Sequence, residues 1–202
     1  FVPHHLAHAA SAFLPSPFAA AAVLTLDGIG EWDTTWLGAG RDDDLQAIQT
    51  LEYPHSLGFL WEVVSTSLGF GPYGATKVMG LAAWGDKSRY ARTLSELLTL
   101  HDNGTFRIDG RALRFRSRGP SWVERLCPEA VVSPSQPRGQ ASADLAAALQ
   151  HRTEEVLFHV ARWLREATGL PKLCMAGGVA LNCAANGRLA RSGIFDELFV
   201  QP

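Results

Sequence analysis

The chain has 202 residues, 47% hydrophobic and 19% charged, a composition that excludes a disordered chain and suits a globular one. Its formal charge of -2 offers no electrostatic ground for binding nucleic acid or an anionic membrane. No apolar run approaches the roughly 20 residues of a membrane span, and Phe1-Val2-Pro3-His4-His5 has neither the basic nor the apolar region of a signal peptide, so a cytoplasmic location is expected.

In chain order, Ala20 to Leu26 is small and apolar and ends in strand-forming residues. Thr34-Thr35-Trp36-Leu37-Gly38 resumes a strand pattern, which predicts two antiparallel strands. Asp27 to Asp33 then forms a loop too long for a tight hairpin, of the kind that cradles a ligand. Leu57, Leu60, Trp61, Val64 and Leu68 recur at helical spacing, and Gly69 to Gly74 breaks that helix. A short segment starts at Lys77 and ends near Gly85-Asp86, and Tyr90 to Leu100 reads as helix. Asp102-Asn103-Gly104 is a turn before a short strand from Thr105 to Ile108. Residues 114–140 are rich in Pro, Ser and Arg without a period and read as a surface excursion or lid. A long helix follows from Ser142 to about Thr168, with Gly169 as its stop. Lys172 to Met175 is a short buried strand, Ala176-Gly177-Gly178 turns, a helix begins near Ala180, and Ile194 to Val200 ends in a last strand. Strands and helices mixed in this order predict an α/β fold.

Four places carry chemistry. His4 and His8 are four residues apart among alanines, and on a helix that spacing puts both imidazoles on one face, where they can share a metal ion. Two histidines alone do not make a site, and ordinary surface or core histidines fit the same spacing; His5 points elsewhere, as a hydrogen-bonding neighbour. Asp27-Gly28-Ile29-Gly30-Glu31 sits at a strand end, where glycines admit a phosphate to the backbone and the aspartate can hold a metal or its water. An ordinary loop is the alternative. Gly177-Gly178-Val179-Ala180-Leu181-Asn182 joins strand to helix, so a nucleotide can lie on Gly177 and Gly178 near a helix N-terminus, or the turn can serve packing alone. Lys77 precedes a glycine-broken apolar stretch and can meet a phosphate or carbonyl oxygen, or simply be solvated. Cys127, Cys174 and Cys183 form neither a zinc pattern nor an even-numbered disulfide framework.

Taken in one order, these motifs resemble the carbamoyltransferase family of the NodU and CmcH type. The resemblance rests on His4-His5-Leu6-Ala7-His8-Ala9-Ala10-Ser11-Ala12-Phe13, Leu26-Asp27-Gly28 with Gly30-Glu31-Trp32, Pro54-His55-Ser56-Leu57-Gly58, Lys77-Val78-Met79-Gly80-Leu81-Ala82 and Ala176-Gly177-Gly178-Val179-Ala180-Leu181-Asn182-Cys183, and covers essentially the whole chain. It implies an actin/sugar-kinase-like ATPase fold, incomplete here: residues 1–202 would be the central part of a carbamoyl-transfer domain, without its first strands and without a C-terminal YrdC-like domain. The chain does not begin with Met and stops at Gln201-Pro202, which fits a piece of a longer protein.

The resemblance further implies an O-carbamoyltransferase. Carbamoyl phosphate and ATP would give carbamoyl-adenylate on the YrdC-like domain, and the domain seen here would pass the carbamoyl group to a hydroxyl of a small molecule, such as a secondary metabolite or antibiotic. His4 and His8 correspond to metal ligands, with iron the usual ion and a third ligand expected from an aspartate beyond Pro202. Asp27, Gly28 and Gly30 correspond to the phosphate-side loop, and Gly177, Gly178 and Asn182 to the nucleotide turn. His55 and Lys77 are the catalytic candidates. Tyr73-Gly74-Ala75-Thr76-Lys77 departs from the family's usual Gly-Glu-Tyr-Lys run, so no acidic role is carried onto Thr76. The expected partners are the hydroxyl acceptor and the YrdC-like domain, with room for a homodimer and none for nucleic acid or membrane. A tRNA threonylcarbamoyl-transfer relative and a non-catalytic nucleotide-binding fragment are the competing readings. The isolated chain is expected to be inactive.

Overall fold

A computed structural model describes residues 1–110, 120–132 and 138–201. The chain divides into two compact units, Phe1–Gly58 with Leu100–Thr105 and Leu157–Pro202, and Phe59–Thr99 with Phe106–Val156.

The first unit is built on a five-stranded mixed sheet. β1 (Ala20–Gly30) pairs antiparallel with β2 (Asp33–Arg41), which pairs antiparallel with β3 (Asp44–Glu52). On its other side β1 runs parallel to β6 (Lys172–Ala176), and β6 parallel to β7 (Glu197–Val200), giving the order β3-β2-β1-β6-β7. β1 is central, so both of its faces are covered, and Ala21 to Leu26 are all buried. That explains why its sequence is a continuous apolar run rather than an alternation.

One face is closed by helix α1 (His4–Phe13). Its Ala9, Ala12 and Phe13 pack with Phe18, Ala21, Val23, Trp36, Cys174 and Ala176. The alanines keep the helix side thin, so α1 lies close over β1, and this proximity places its histidines above the end of the strand.

The expected long loop from Asp27 to Asp33 is a correction. β1 continues to Gly30 and β2 begins at Asp33, leaving only Glu31 and Trp32 to turn. The pairing slips between Leu26 and Gly30, so Asp27, Gly28 and Ile29 bulge from the ladder instead of forming a loop. Glu31 turns the chain in the left-handed region, at φ 53°.

The second unit carries most of α2 (Leu57–Ser67), then α3 (Ala75–Ala82), α4 (Ser88–Leu97), most of β4 (Leu98–Leu100), which pairs with β5 (Phe106–Ile108), and α5 (Trp122–Leu126). The predicted helix from Tyr90 to Leu100 thus gives way to a strand at Leu98. The long helix α6 (Gln140–Thr168) begins in this unit and ends in the first. Buried Asp144 organises the α3–α4 connection. It accepts from the Asp86 N–H (2.8 Å), the Gln140 amide (2.8 Å) and the Arg89 guanidinium (3.2 Å). Of the expected excursion at 114–140, the described part holds α5, opened by a Ser121–Glu124 capping box, and a short 3-10 turn at Pro128–Ala130; the rest lies outside the described residues.

Among the described residues no helix is long and apolar enough to cross a membrane. Cys127 and Cys174 are buried and Cys183 is exposed.

Candidate functional site

The site begins with the start of α1. Pro3 precedes the helix with extended geometry and offers no side-chain cap. The cap comes from elsewhere: the Glu31 carboxylate accepts from the His4 N–H at 3.2 Å. A carboxylate is well suited there, because the first N–H groups of a helix lack partners and carry partial positive charge.

His5 faces the sheet and is buried. Its Nε2 lies 3.0 Å from the Asp33 carbonyl and its Nδ1 2.6 Å from the Thr25 hydroxyl. A carbonyl can only accept, so Nε2 carries the proton and Nδ1 accepts from Thr25. Burial lowers the His5 pKa, which keeps the ring neutral. His5 thereby fixes the rotation of α1 about its axis.

With α1 so fixed, the next face of the helix brings His4 and His8 over Asp27. His4 Nε2 lies 2.8 Å, and His8 Nε2 3.1 Å, from the same oxygen, Asp27 Oδ2. The other oxygen, Oδ1, accepts from the Gly178 N–H at 3.3 Å. Burial pushes the Asp27 carboxyl up, but hydrogen bonds from His4, the Gly28 N–H, His8 and the Gly178 N–H outweigh it and hold the group below its usual value.

These three side chains present donor atoms that all lie within 4.8 Å of one another. Two imidazoles and one carboxylate, drawn from a helix and a strand bulge, make the donor set common to iron, zinc and other first-row divalent ions. Ligands about 2.1 Å from one ion and at right angles stand about 3 Å apart, the spacing seen here between each imidazole and the carboxylate. The residues present therefore fit a divalent metal.

The remaining predicted residues fall as follows. Gly30 is buried against His4: a Cβ there would sit 2.3 Å from the imidazole Cδ2. Gly28 accepts from the Ser56 hydroxyl at 2.6 Å, so Ser56 braces the bulge that carries Asp27. His55 is half-buried in the turn after β3; its N–H donates to the Glu52 carbonyl and its carbonyl accepts from the Thr34 hydroxyl. Gly177 turns the chain between β6 and a 3-10 turn (Gly178–Leu181). Helix α7 (Cys183–Ala190) starts later than the predicted Ala180, with Asn182 as its cap, accepting from the Ala185 N–H. Lys77 is exposed on α3, in the second unit. The structure thus gathers His4, His8, Asp27, Gly30 and Gly178 around one carboxylate. The sequence alone allowed Asp27 a metal or its water from a strand end, whereas the family resemblance put it on the phosphate side and looked for the third ligand beyond Pro202.

Replacing Gly30 by Ala is expected to drive the His4 ring off its position, since the ring is held by α1 and the added methyl has no other room. Metal affinity should fall about 10- to 100-fold, as when a ligand loses its orientation. Titration calorimetry against Fe(II) or Zn(II) checks this, and parent-like affinity would show that His4 does not bind metal.

The whole chain, residues 1–202, matches the family model described as Carbamoyltransferase N-terminus. It is 39% identical over 203 residues to the nodulation protein NolNO of Sinorhizobium fredii, covering 100% of this chain and 28% of that protein. It is 36% identical over 199 residues to the nodulation protein NolO of Bradyrhizobium diazoefficiens, covering 98% of this chain and 35% of the relative. A more distant match is a tRNA N6-adenosine threonylcarbamoyltransferase of Sorangium cellulosum, 27% identical over 185 residues, with 90% of this chain and 45% of that protein covered. The chain thus spans about a third of the length of the nodulation proteins.

Proposed function

The chain belongs to the carbamoyltransferase family, and from that premise we propose that it is the part of an O-carbamoyltransferase where a carbamoyl group passes from carbamoyl-adenylate to a small-molecule hydroxyl. The observation that carries the reading is the convergence of His4 and His8 on Asp27. In this reading the fold is of the actin/sugar-kinase-like ATPase type, the enzyme is cytoplasmic, and the adenylate is made from carbamoyl phosphate and ATP by a YrdC-like domain elsewhere in the protein.

The acceptor oxygen attacks the carbamoyl carbon, the bond from that carbon to the adenylate phosphate oxygen breaks, AMP leaves, and the hydroxyl proton is released. A metal held by His4, His8 and Asp27, with iron as the proposed ion, would act as a Lewis acid on the weakly electrophilic carbamoyl carbonyl. The chain's own residues set up that step. His5 locks the helix that carries both imidazoles, and Glu31 caps its first turn. Ser56 holds the bulge under Asp27, and Gly178 orients the carboxylate through its outer oxygen. The Gly177-Gly178 turn is proposed to take the adenylate, at the backbone of the exposed Gly178, and the Asp27–Gly178 hydrogen bond joins that turn to the metal ligands. Lys77 and His55 are proposed to act on phosphate or acceptor oxygens.

The test uses the full-length protein with carbamoyl phosphate and ATP. Pyrophosphate release reports adenylate formation, and mass spectrometry of hydroxyl compounds supplied as acceptors reports transfer. A bound divalent ion together with a carbamoylated product supports the reading; adenylate formation with transfer unaffected by removal of the ion would overturn the metal's part in it. The 27% match to a tRNA-modifying enzyme favours a second reading, transfer to tRNA, against which the net charge of -2 stands. Carbamoylated tRNA in place of a carbamoylated small molecule would decide for it.

A further inference from the structure

Gly58 is the second residue of α2, a place where alanine makes the better helix. Its backbone is not in the left-handed region, so conformation does not call for glycine there. Space does. A Cβ on Gly58 would stand 2.7 Å from both the N and the Cα of Gly28, and 2.9 Å from the carbonyl carbon of Asp27. All three are backbone atoms, which no side-chain rotation can move aside. The first turn of α2 therefore lies bare against the peptide that joins Asp27 to Gly28.

The sheet does not hold that peptide. β1 pairs with β2 at Leu26 and again at Gly30, and its pairing with β6 ends at Thr25, so no ladder partner fixes Asp27, Gly28 or Ile29. The buried Ser56 supplies a hold: its hydroxyl donates to the Gly28 carbonyl at 2.6 Å, with the Asp27 carbonyl next at 3.3 Å. The Gly28 N–H in turn donates to the Asp27 carboxylate, the group that meets His4 and His8 at 2.8 and 3.1 Å. Displacing Gly28 thus turns Asp27 away from both imidazoles. A clash at Gly58 would be relieved on this side, because the start of α2 is anchored. Ser56 and Leu57 are buried, and the Thr34 hydroxyl of β2 donates to the His55 carbonyl at 2.8 Å.

We propose that Gly58 is a positioning residue for the metal-binding carboxylate: with Ser56, it lets the start of α2 seat the Asp27–Gly28 peptide so that Asp27 faces His4 and His8. Ser56 holds the Gly28 carbonyl, and Gly58 leaves room for the Gly28 N–H. This rests on the metal's part in the transferase reading above and adds to it the element that sets the site.

The experiment uses the full-length protein, freed of metal and titrated with Zn(II) and Co(II) by calorimetry, with the visible absorption of bound Co(II) as a second readout. The parent is expected to bind the ion. Gly58→Ala should bind it about 10- to 100-fold more weakly, as when a ligand loses its support, with an altered Co(II) spectrum, since the absorption follows the coordination geometry. The control is Gly85→Ala in the second unit, where a Cβ would strike the Ala143 carbonyl. It should lose stability in chemical denaturation and keep the parent's metal affinity and spectrum. Parent-like affinity and spectrum in Gly58→Ala overturn the proposal. So does an equal loss of affinity in Gly85→Ala, which would trace the effect to general destabilisation. Should either glycine variant not fold, a matched pair of serines decides. Ser56→Ala adds no atom and should show the weaker binding and the altered spectrum. Ser142→Ala, which frees the Ala130 carbonyl from a buried hydroxyl at 2.9 Å in the second unit, should show neither. Parent-like binding in Ser56→Ala, or equal losses in the two serine variants, overturns the proposal. A parent that binds the ion alongside variants that bind it equally well fails the positioning role alone. A parent that binds no divalent ion fails the metal's part in the transferase reading, and the positioning role with it.

Discussion

His8→Ala in the full-length enzyme is expected to lose its metal and its transfer activity together, while carbamoyl-adenylate formation continues. The reason is geometric. His8 and His4 reach the same carboxylate oxygen from successive turns of α1, at 3.1 and 2.8 Å. Removing one imidazole leaves a histidine and a carboxylate, which is too few donors for a firm divalent site. If the ion's polarisation of the carbonyl is worth several kcal/mol, transfer should fall on the order of 10²- to 10³-fold. The fold should survive, because His8 is half-buried while the helix is held to the sheet by Ala9, Ala12, Phe13 and His5. Metal analysis with pyrophosphate release and product formation measured side by side checks all of this. Retained metal would remove His8 from the ligand set. Loss of adenylate formation as well would point to a structural role for His8.

The comparison with His5→Ala separates the two kinds of histidine on this helix. His5 is buried and engages both ring nitrogens, with Thr25 and with the Asp33 carbonyl. Its removal leaves the Asp33 carbonyl and the buried Thr25 hydroxyl each short of a partner, at about 1–3 kcal/mol for a buried group. Chemical denaturation should therefore register His5→Ala strongly and His8→Ala weakly, with metal binding in the reverse order.

How much of this was legible in the sequence depends on whether the signal was local. The i, i+4 pair in α1 and the apolar runs of β1 and β6 are local periodicities, and they stand in the structure as read. The helix read from Ser142 to Thr168 is there too, two residues longer at its start. β3 was missed because it is an edge strand, largely exposed and rich in polar residues, without the apolar alternation that marks a half-buried strand. The supposed seven-residue loop failed because Asp27-Gly28-Ile29-Gly30 reads as turn chemistry, whereas pairing across β2 carries the strand on through a bulge. The hydrogen bonds that link His4, His8, Asp27 and Gly178 span up to 151 positions, and no window along the chain can show them. The family resemblance ordered those motifs in sequence, and the fold of the first unit supplies the contacts between them.

The two glycines of the β6 turn make the sharpest contrast, because they are small for different reasons. Gly177 has φ 96° and ψ 163°, a region open in practice to glycine alone, and a Cβ there would stand 2.3 Å from the Leu26 carbonyl oxygen. Gly177→Ala combines backbone strain with a clash against the central strand, a cost of about 3 kcal/mol or more. Hydrogen exchange should show it as lost protection at Val23 to Leu26, the amides of β1 beside the turn. Gly178 carries no such conformational demand, and its nearest neighbour to an added Cβ is the Asp27 Oδ1, at 3.1 Å. A side chain there presses on the carboxylate and covers the open backbone without straining the sheet. Gly178→Val is therefore expected to keep parent-like exchange in β1 and to bind ATP at least tenfold more weakly, since a branched side chain blocks close approach to the backbone. Calorimetry on the full-length protein measures that affinity. ATP binding as tight as the parent's in Gly178→Val would take the nucleotide away from this turn, and unchanged protection in Gly177→Ala would show that the turn can relax where its geometry says it cannot.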